Sequence, residues 1–88
     1  MTPPDSPAVD AVVERLVSFL VEGSEGRLTA ADIDPGQHMY DCGYLDSLSA
    51  AAFLKNVEQA YGVRLKESQL IGALETVRAV AAHIEAGG

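Results

Sequence analysis

The sequence is poor in several residue types, and each scarcity limits what the chain can be. It has a single cysteine, Cys42, so an intramolecular disulfide framework is excluded. It has no tryptophan, and only 6 basic residues stand against 13 acidic ones, for a formal net charge of −7. Nucleic-acid-binding domains carry a basic footprint. This composition therefore argues against nucleic acid as a partner and favours attraction to basic protein surfaces.

Long apolar runs are also missing. No stretch approaches the roughly 20 apolar residues that a membrane-spanning helix needs, so we expect no membrane insertion. The N-terminal residues contain two prolines and no basic segment followed by an apolar run, so they do not look like a signal peptide. With a reduced cysteine and no targeting segment, the sequence predicts a cytoplasmic protein.

No segment alternates apolar and polar residues over the length of a strand, whereas helix-forming residues are abundant. A chain of 88 residues has room for one domain. We therefore predict an all-α domain over residues 6–86, with a disordered tail at residues 1–5 and a frayed end at residues 87–88. We expect this small acidic domain to be a monomer.

The first predicted helix starts at Ser6 and Pro7, a pair typical of helix N-termini, and Gly23 is a plausible terminator. Its predicted buried stripe is Val9, Val12, Val13, Leu16 and Leu20. A long loop without periodicity then covers residues 23–45, and loops of this length are often functional. A brief helical turn at 29–32 and a turn at 34–36 are expected within it. Its predicted core anchors are Leu28, Ile33, Met39 and Tyr40.

Three further helices are predicted after the loop. The second covers residues 47–60 and ends at Gly62, a short third helix lies within 66–74, and the last opens at Glu75 or Thr76 and runs to about Ala86. The predicted inner face of the second helix is Ala50, Phe53, Leu54, Val57 and Tyr61, and its outer face is Leu48, Ala51, Lys55 and Glu58. The predicted buried residues that follow are Leu70, Ile71, Leu74, Val77, Val80, Ala81 and Ile84.

The second helix begins at Asp46-Ser47-Leu48. Asp46 suits an N-cap, because its carboxylate can accept from the unpaired N–H groups of the first turn. Ser47 then occupies the first helical position with its hydroxyl toward solvent, beside an exposed Leu48. The positive end of the helix dipole suits an anion attached at this point. Taken alone, such a tripeptide is most often an ordinary capped helix start.

Residues for catalysis or metal binding are scarce. A hydrolase would need a base for Ser47, but only His38 and His83 are available, both expected to be peripheral, and no Gly-x-Ser-x-Gly elbow is present. One cysteine and two distant histidines do not give a zinc spacing. Cys42 is interpreted as a small packing residue, since no cationic neighbour would activate its thiol. We therefore expect no catalytic residue and no metal site, and a chain that serves as a substrate for other enzymes.

Gly43 precedes the motif at 46–48, and Tyr61-Gly62-Val63 follows it at a fixed interval. These features resemble the acyl and peptidyl carrier protein family over about residues 7–86. The resemblance implies a four-helix bundle with a long loop between helices one and two and a short third helix. This is the layout that the helical spacing predicts.

The resemblance also implies roles for individual residues. Ser47 would carry 4′-phosphopantetheine, installed from coenzyme A by a phosphopantetheinyl transferase, and the thiol of this arm would hold a cargo as a thioester. Asp46 would cap the helix and help the transferase to engage the motif, with Gly43 as further motif support. The implied partner surface is Leu48, Ala51, Ala52 and Lys55.

Two features separate this chain from the fatty-acid carriers of the family. Tyr44 and Leu45 both stand between glycine and aspartate, where those carriers usually have one residue, and the exposed positions of the second helix include a single acid, Glu58. The resemblance therefore favours a discrete carrier of polyketide, nonribosomal peptide or related specialised metabolism. Its implied partners are an adenylating or acyltransferase loading enzyme and a downstream synthase or tailoring enzyme. A D-alanyl or aminoacyl carrier of cell-envelope modification stays open, as does an unmodified acidic helical interaction module.

Overall fold

Helices make up the regular structure of the part of the chain described by the computed structural model, residues 7–87. They are α1 (Pro7–Gly23), one turn of 3-10 helix (Ala30–Asp32), α2 (Ser47–Tyr61), α3 (Glu67–Ile71) and α4 (Val77–Glu85). The predicted all-α four-helix fold, with a long first loop and a short third helix, is confirmed. The predicted tail at 1–5, the capping role of Ser6 and the end at Gly88 fall outside the described residues.

One hydrophobic core holds the helices together. Helix α1 packs against α4 and α2, and α2 also contacts α3. The predicted stripe of α1 is buried throughout, and α2 and α4 contribute Ala50, Phe53, Val57, Val77, Val80 and Ala81. Leu54, Tyr61 and Ile84 are partly buried at the edge of this core. None of the helices within residues 7–87 is both long and apolar enough to cross a membrane.

The long loop is anchored to the core at Met39, which is fully buried. Its N–H donates to the Glu75 carbonyl at 2.8 Å, and its own carbonyl accepts from the N–H groups of Tyr44 at 2.8 Å and Leu45 at 3.1 Å. Beside it, His38 Nε2 lies 3.4 Å from a Glu75 carboxylate oxygen. The middle of the loop is therefore bonded to the residue before the cap of α4. The end of the loop, at Tyr44 and Leu45, folds back onto Met39.

Most of the predicted loop features are confirmed. Residues 30–32 form the expected helical turn, and the Asp34 carbonyl accepts from Gln37 N–H at 3.1 Å in the predicted turn. Ile33 and Met39 are buried, and Leu28 and Tyr40 are packed against the core at its edge. Tyr44 and Leu45 are buried as well, which the sequence analysis did not anticipate.

Helix α1 ends at Gly23, as predicted, and the positive φ values of the turn that follows belong to Glu25 (55°) and Gly26 (89°). Two predictions about single residues were wrong. Ile71 is 58% exposed, because the short α3 can turn only one of its two neighbouring apolar residues inward and that residue is Leu70. Cys42 is exposed, since it lies in a surface turn where its thiol points to Gln37 Oε1 at 3.7 Å.

Candidate functional site

Ser47 is the first residue of α2 and is exposed to solvent. Asp46 holds this helix start in place as the N-cap, because its Oδ1 accepts from Leu48 N–H at 3.0 Å and from Ser49 N–H at 2.8 Å. The Ser49 hydroxyl accepts from Asp46 N–H at 2.9 Å, which completes a reciprocal capping box. Ser47 takes no part in this network, and its hydroxyl has no hydrogen bond to any residue in the range 7–87. Its oxygen is thus open to chemistry from outside.

The capping carboxylate stays ionised at neutral pH. Hydrogen bonds from Ser49, through its backbone N–H first and its hydroxyl second, hold the pKa of Asp46 below its ordinary value. Leu48 N–H and the charge of Arg27 lower this pKa by smaller amounts, against a small opposing effect of desolvation. Because hydrogen bonds to the charged form favour that form, the cap is at full strength near neutrality.

The two residues before the cap explain why the motif is presented at the surface. The side chains of Tyr44 and Leu45 are buried, with 7% and 3% exposure. The Tyr44 phenol accepts from Asp34 N–H at 2.9 Å and donates to the Asp32 carbonyl at 3.1 Å. With the chain pinned at these positions, the next residues emerge from the core as the start of α2.

Gly43 makes the turn that leads into this pinned segment. Its φ is +77°, a left-handed conformation that side chains with a Cβ rarely adopt. Its carbonyl accepts from Arg27 Nη1 at 3.1 Å, which links the turn after α1 to the motif. The predicted support role of Gly43 therefore has a structural basis in backbone geometry.

The surroundings of Ser47 combine an apolar projection with an open groove. Leu48 is 86% exposed, and Ala51, Ala52 and Lys55 are exposed along the same helix. Beside the cap, a groove of about 230 Å³ runs between the end of α1 and the start of α2. Its lining residues are Gly23, Ser24, Glu25, Arg27, Asp46, Leu48 and Ser49.

Helix α3 is tied to the loop that leads to the motif. The Tyr40 phenol donates to Glu67 Oε1 at 3.3 Å, at the first residue of α3. Burial and then the Glu67 charge raise the pKa of Tyr40, with a smaller effect of Asp46, so the phenol remains a donor. The exposed Ile71 therefore belongs to a helix that the loop holds in place.

The histidines are engaged away from Ser47. His38 Nδ1 accepts from the N–H groups of Tyr40 and Asp41 at 3.3 and 3.5 Å, and its Nε2 faces Glu75. His83 lies half-buried in the last turn of α4. No contact among residues 7–87 joins either imidazole to the serine hydroxyl, as a Ser–His pair would require. Within the same residues, no three His, Cys, Asp or Glu side chains form a group that could hold a metal ion.

Comparison with known protein families gives a match that contains this site. The model of the phosphopantetheine attachment site matches residues 21–84, a segment that contains the cap, the serine and all of α2. The chain belongs to this family. The predicted resemblance to phosphopantetheine-bearing carriers is thereby confirmed.

Two curated relatives of this carrier domain are both named carboxylic acid reductase. The protein from Segniliparus rugosus is 33% identical over 81 residues, which cover 92% of this chain and 6% of that protein. The protein from Mycobacterium tuberculosis is 34% identical over 83 residues, which cover 94% of this chain and 6% of that protein. The chain thus spans about 6% of the length of these relatives. No solved structure gives a significant match.

Domains of this family hold 4′-phosphopantetheine covalently, and this is the cofactor of the carrier domain. The start of α2 fits such a group. It offers an exposed hydroxyl, the free N–H groups of a helix N-terminus that suit a phosphate, and an open groove beside it.

The structure brings together the predicted motif residues and adds others. Asp46, Ser47 and Leu48 are contiguous at the start of α2. Gly43 accepts a hydrogen bond from Arg27, which lines the same groove as Asp46 and Leu48. Arg27 was not predicted as a site residue, because no spacing marks it and only folding brings residues 27 and 43 together. Tyr44 was not predicted as a buried anchor, although an aromatic residue next to Leu45 is a usable signal for one.

Proposed function

We propose that Ser47 is the attachment site of 4′-phosphopantetheine and that the chain is a non-catalytic carrier. The supporting observation is the exposed hydroxyl at the start of α2, which has no partner among the described residues. The segment matched by the family model contains four serines: Ser24, Ser47, Ser49 and Ser68. Ser24 is buried and bonded to Val21 O, and Ser49 belongs to the capping box. Only Ser68 shares the exposure of Ser47, and it lies in the short α3 without an acidic cap.

The attachment reaction needs little from the chain itself. The Ser47 oxygen forms a bond to the phosphorus that bears pantetheine in coenzyme A, the P–O–P bond breaks, and 3′,5′-adenosine bisphosphate leaves. The serine proton passes to a base on the phosphopantetheinyl transferase. Asp46 keeps the helix start ordered, so that the hydroxyl is presented in a fixed position to the transferase. When attached, the arm supplies a thiol that holds a cargo as a thioester.

The partner surface we propose consists of Leu48, Ala51, Ala52 and Lys55, to which the structure adds Ile71. All of them are exposed in the structure. Leu48 and Ile71 are the large apolar side chains exposed within residues 7–87. The acid of α2, Glu58, is compensated by Arg64 at 3.2 Å. Docking through a mainly apolar and weakly charged surface fits this composition better than recognition of an acidic stripe.

The cargo we propose is an acyl group. The relatives named carboxylic acid reductase point to a carboxylic acid as its source, and a thioester is the form in which the arm would hold it. An adenylating or acyltransferase enzyme would load the arm, and a synthase or tailoring enzyme of polyketide, nonribosomal peptide or related specialised metabolism would accept the cargo. We place the carrier domain at residues 6–86 and expect a cytoplasmic monomer.

Intact-mass measurement tests the attachment site. After incubation with coenzyme A and a transferase of broad specificity, the wild-type chain should gain the mass of one phosphopantetheine, and Ser47→Ala should gain none. Ser68→Ala is the matched control, because it removes the other exposed serine of the matched segment, and it should be modified like wild type. An unmodified wild-type chain, or a modified Ser47→Ala chain, would contradict the proposal. The first outcome would favour an unmodified interaction module.

The cargo is tested in the next step with the modified protein. Candidate adenylating enzymes or acyltransferases are offered with carboxylic acids or amino acids, and the loaded protein is weighed. Loading with an acyl group supports the proposal. Loading with an amino acid alone would instead indicate an aminoacyl carrier.

A further inference from the structure

Arg27 is the cation that lines the groove beside the cap, and it lies in no ion pair within residues 7–87. Arg64 pairs with Glu58 at 3.2 Å and Arg78 with Asp10 at 3.7 Å, whereas the other cations without an acid partner lie outside the groove. Arg27 Nη1 donates to the neutral carbonyl of Gly43 at 3.1 Å, and most of its other donors have no partner within residues 7–87.

The position of Arg27 is fixed at both ends of the residue. Its backbone N–H donates to the Ser24 carbonyl at 3.2 Å, and the next N–H, from Leu28, donates to Ser24 Oγ at 3.0 Å. Ser24 is itself buried and bonded to α1 through Leu20 O at 3.1 Å. The guanidinium is held at the other end by Gly43. This hydrogen bond orients the guanidinium toward the motif and reduces the conformational entropy that is lost when it binds an anion.

The groove beside Ser47 has one cation, Arg27, and two carboxylates, those of Glu25 and Asp46, among its lining residues. A phosphodiester attached to Ser47 adds a further negative charge directly after Asp46. Two anions this close in the chain repel each other, and a cation beside them offsets the repulsion by attracting both. A guanidinium is well suited to this task, since its planar fork matches phosphate oxygens.

We propose that Arg27 is a positioning residue for the arm: its guanidinium pairs with the phosphodiester on Ser47 and directs the start of the arm into the groove between α1 and α2. This inference rests on the proposed attachment at Ser47. It adds a contact that forms only after modification. The modified protein therefore depends on Arg27 more than the unmodified one does.

Unfolding in urea of the unmodified and modified forms tests this dependence. Arg27→Gln should lower the folding equilibrium constant of the modified form by roughly two- to five-fold more than that of the unmodified form, the range of an exposed ion pair. Lys66→Gln removes the same charge at an exposed position outside the groove. It should affect both forms equally. Equal losses for Arg27→Gln in both forms would overturn the inference.

Nuclear magnetic resonance gives a second readout that does not depend on stability. The Arg27 Nε–H signal of the wild-type chain should shift on modification, and the phosphorus signal should differ between wild type and Arg27→Gln, with Arg27→Lys in between. Unchanged Arg27 and phosphorus signals would also overturn the inference. If the wild-type chain gains no mass, the proposed function fails first and Arg27 loses this role with it. A modified chain with unaltered signals refutes the role of Arg27 alone.

Discussion

Tyr44 shows how one residue can set the geometry of a site that it does not touch. Its ring is buried just before the cap, and its phenol bonds to backbone groups of Asp34 and Asp32. The two residues between Gly43 and Asp46 therefore form a structural clamp, since both are buried in the core. This clamp fixes where the helix start beyond it leaves the core.

Removing the phenol oxygen should weaken the clamp. Tyr44→Phe leaves Asp34 N–H without its partner in a partly buried place, so we expect the free energy of unfolding to fall by about 1–3 kcal/mol. Tyr61→Phe is the matched control, because the Tyr61 phenol has no hydrogen bond within residues 7–87, and it should change stability by less than about 0.5 kcal/mol. Urea unfolding of both variants measures this. Equal effects would mean that the Tyr44 hydrogen bonds contribute nothing.

The cap at Asp46 should make stability depend on pH in a defined direction. Because its pKa is lowered in the folded state, its contribution is complete above the ordinary carboxyl pKa of about 4 and is lost as pH falls through the lowered value. Wild type should therefore exceed Asp46→Ala in stability by a constant amount between about pH 5 and 7, and the gap should close in stronger acid. Asp46→Asn keeps an acceptor without a titrating charge, so its stability relative to Asp46→Ala should not change with pH over the same range. A gap that persists unchanged in strong acid would contradict this assignment.

Helix α3 shows how a short element divides its residues between core and surface. Its five residues cover little more than one turn, so neighbouring positions must face different ways. Leu70 is fully buried while Ile71 is 58% exposed. The residue that packing leaves outside becomes part of the proposed partner surface.

Two adjacent substitutions in α3 should behave differently. Leu70→Ala should lower the free energy of unfolding by roughly 2–5 kcal/mol, because it opens a cavity in the core. Ile71→Ala should change it by less than about 0.5 kcal/mol, since its side chain is mostly in water. Denaturant titrations of the two variants compare them directly. Similar losses for both would show that Ile71 is packed and not presented.

At the scale of the whole molecule, the acidic charge is concentrated away from α2. Five of the 13 acids lie in the segment between α1 and α2: Glu25, Asp32, Asp34, Asp41 and Asp46. On α2 itself, Glu58 is compensated by Arg64. Leu48 is thus the main exposed apolar side chain on the face beside Ser47. Contact with a partner on this face should therefore depend on apolar burial more than on charge.

Leu48 should therefore matter for partners and not for folding. Leu48→Gln should leave the free energy of unfolding within about 0.5 kcal/mol of wild type. It should raise the KM for the phosphopantetheinyl transferase by about ten-fold, since burying a leucine in a partner is worth about 1.5–3 kcal/mol. Steady-state kinetics and urea unfolding give the two values. Lys55→Gln and Ile71→Gln show how far the surface extends, and an unchanged KM for Leu48→Gln would exclude it from the contact.

The sequence by itself determined the helices, the capped motif and the family. Helical periodicity and N-capping are local properties. An apolar stripe repeats every three or four residues, and a capping carboxylate bonds to N–H groups two or three residues ahead. That is why the stripe of α1, the cap at Asp46 and the exposure of Leu48 could be predicted. The same locality explains the errors at Ile71 and Cys42, where local patterns allowed a buried side chain and a packed thiol.

Tertiary structure alone decided which distant residues meet around the loop that leads to α2. Tyr44 bonds to residues 32 and 34, and Arg27 bonds to Gly43, across stretches of the loop. Met39 bonds to Glu75, which lies beyond α2 and α3 in the chain. No periodicity encodes these pairings, since they arise only when the core fixes both ends of the loop. The sequence thus determined where the serine lies in the chain. Its exposure already followed from the first position of a capped helix. The fold determined that this helix start is clamped from behind by Tyr44 and flanked by the guanidinium of Arg27.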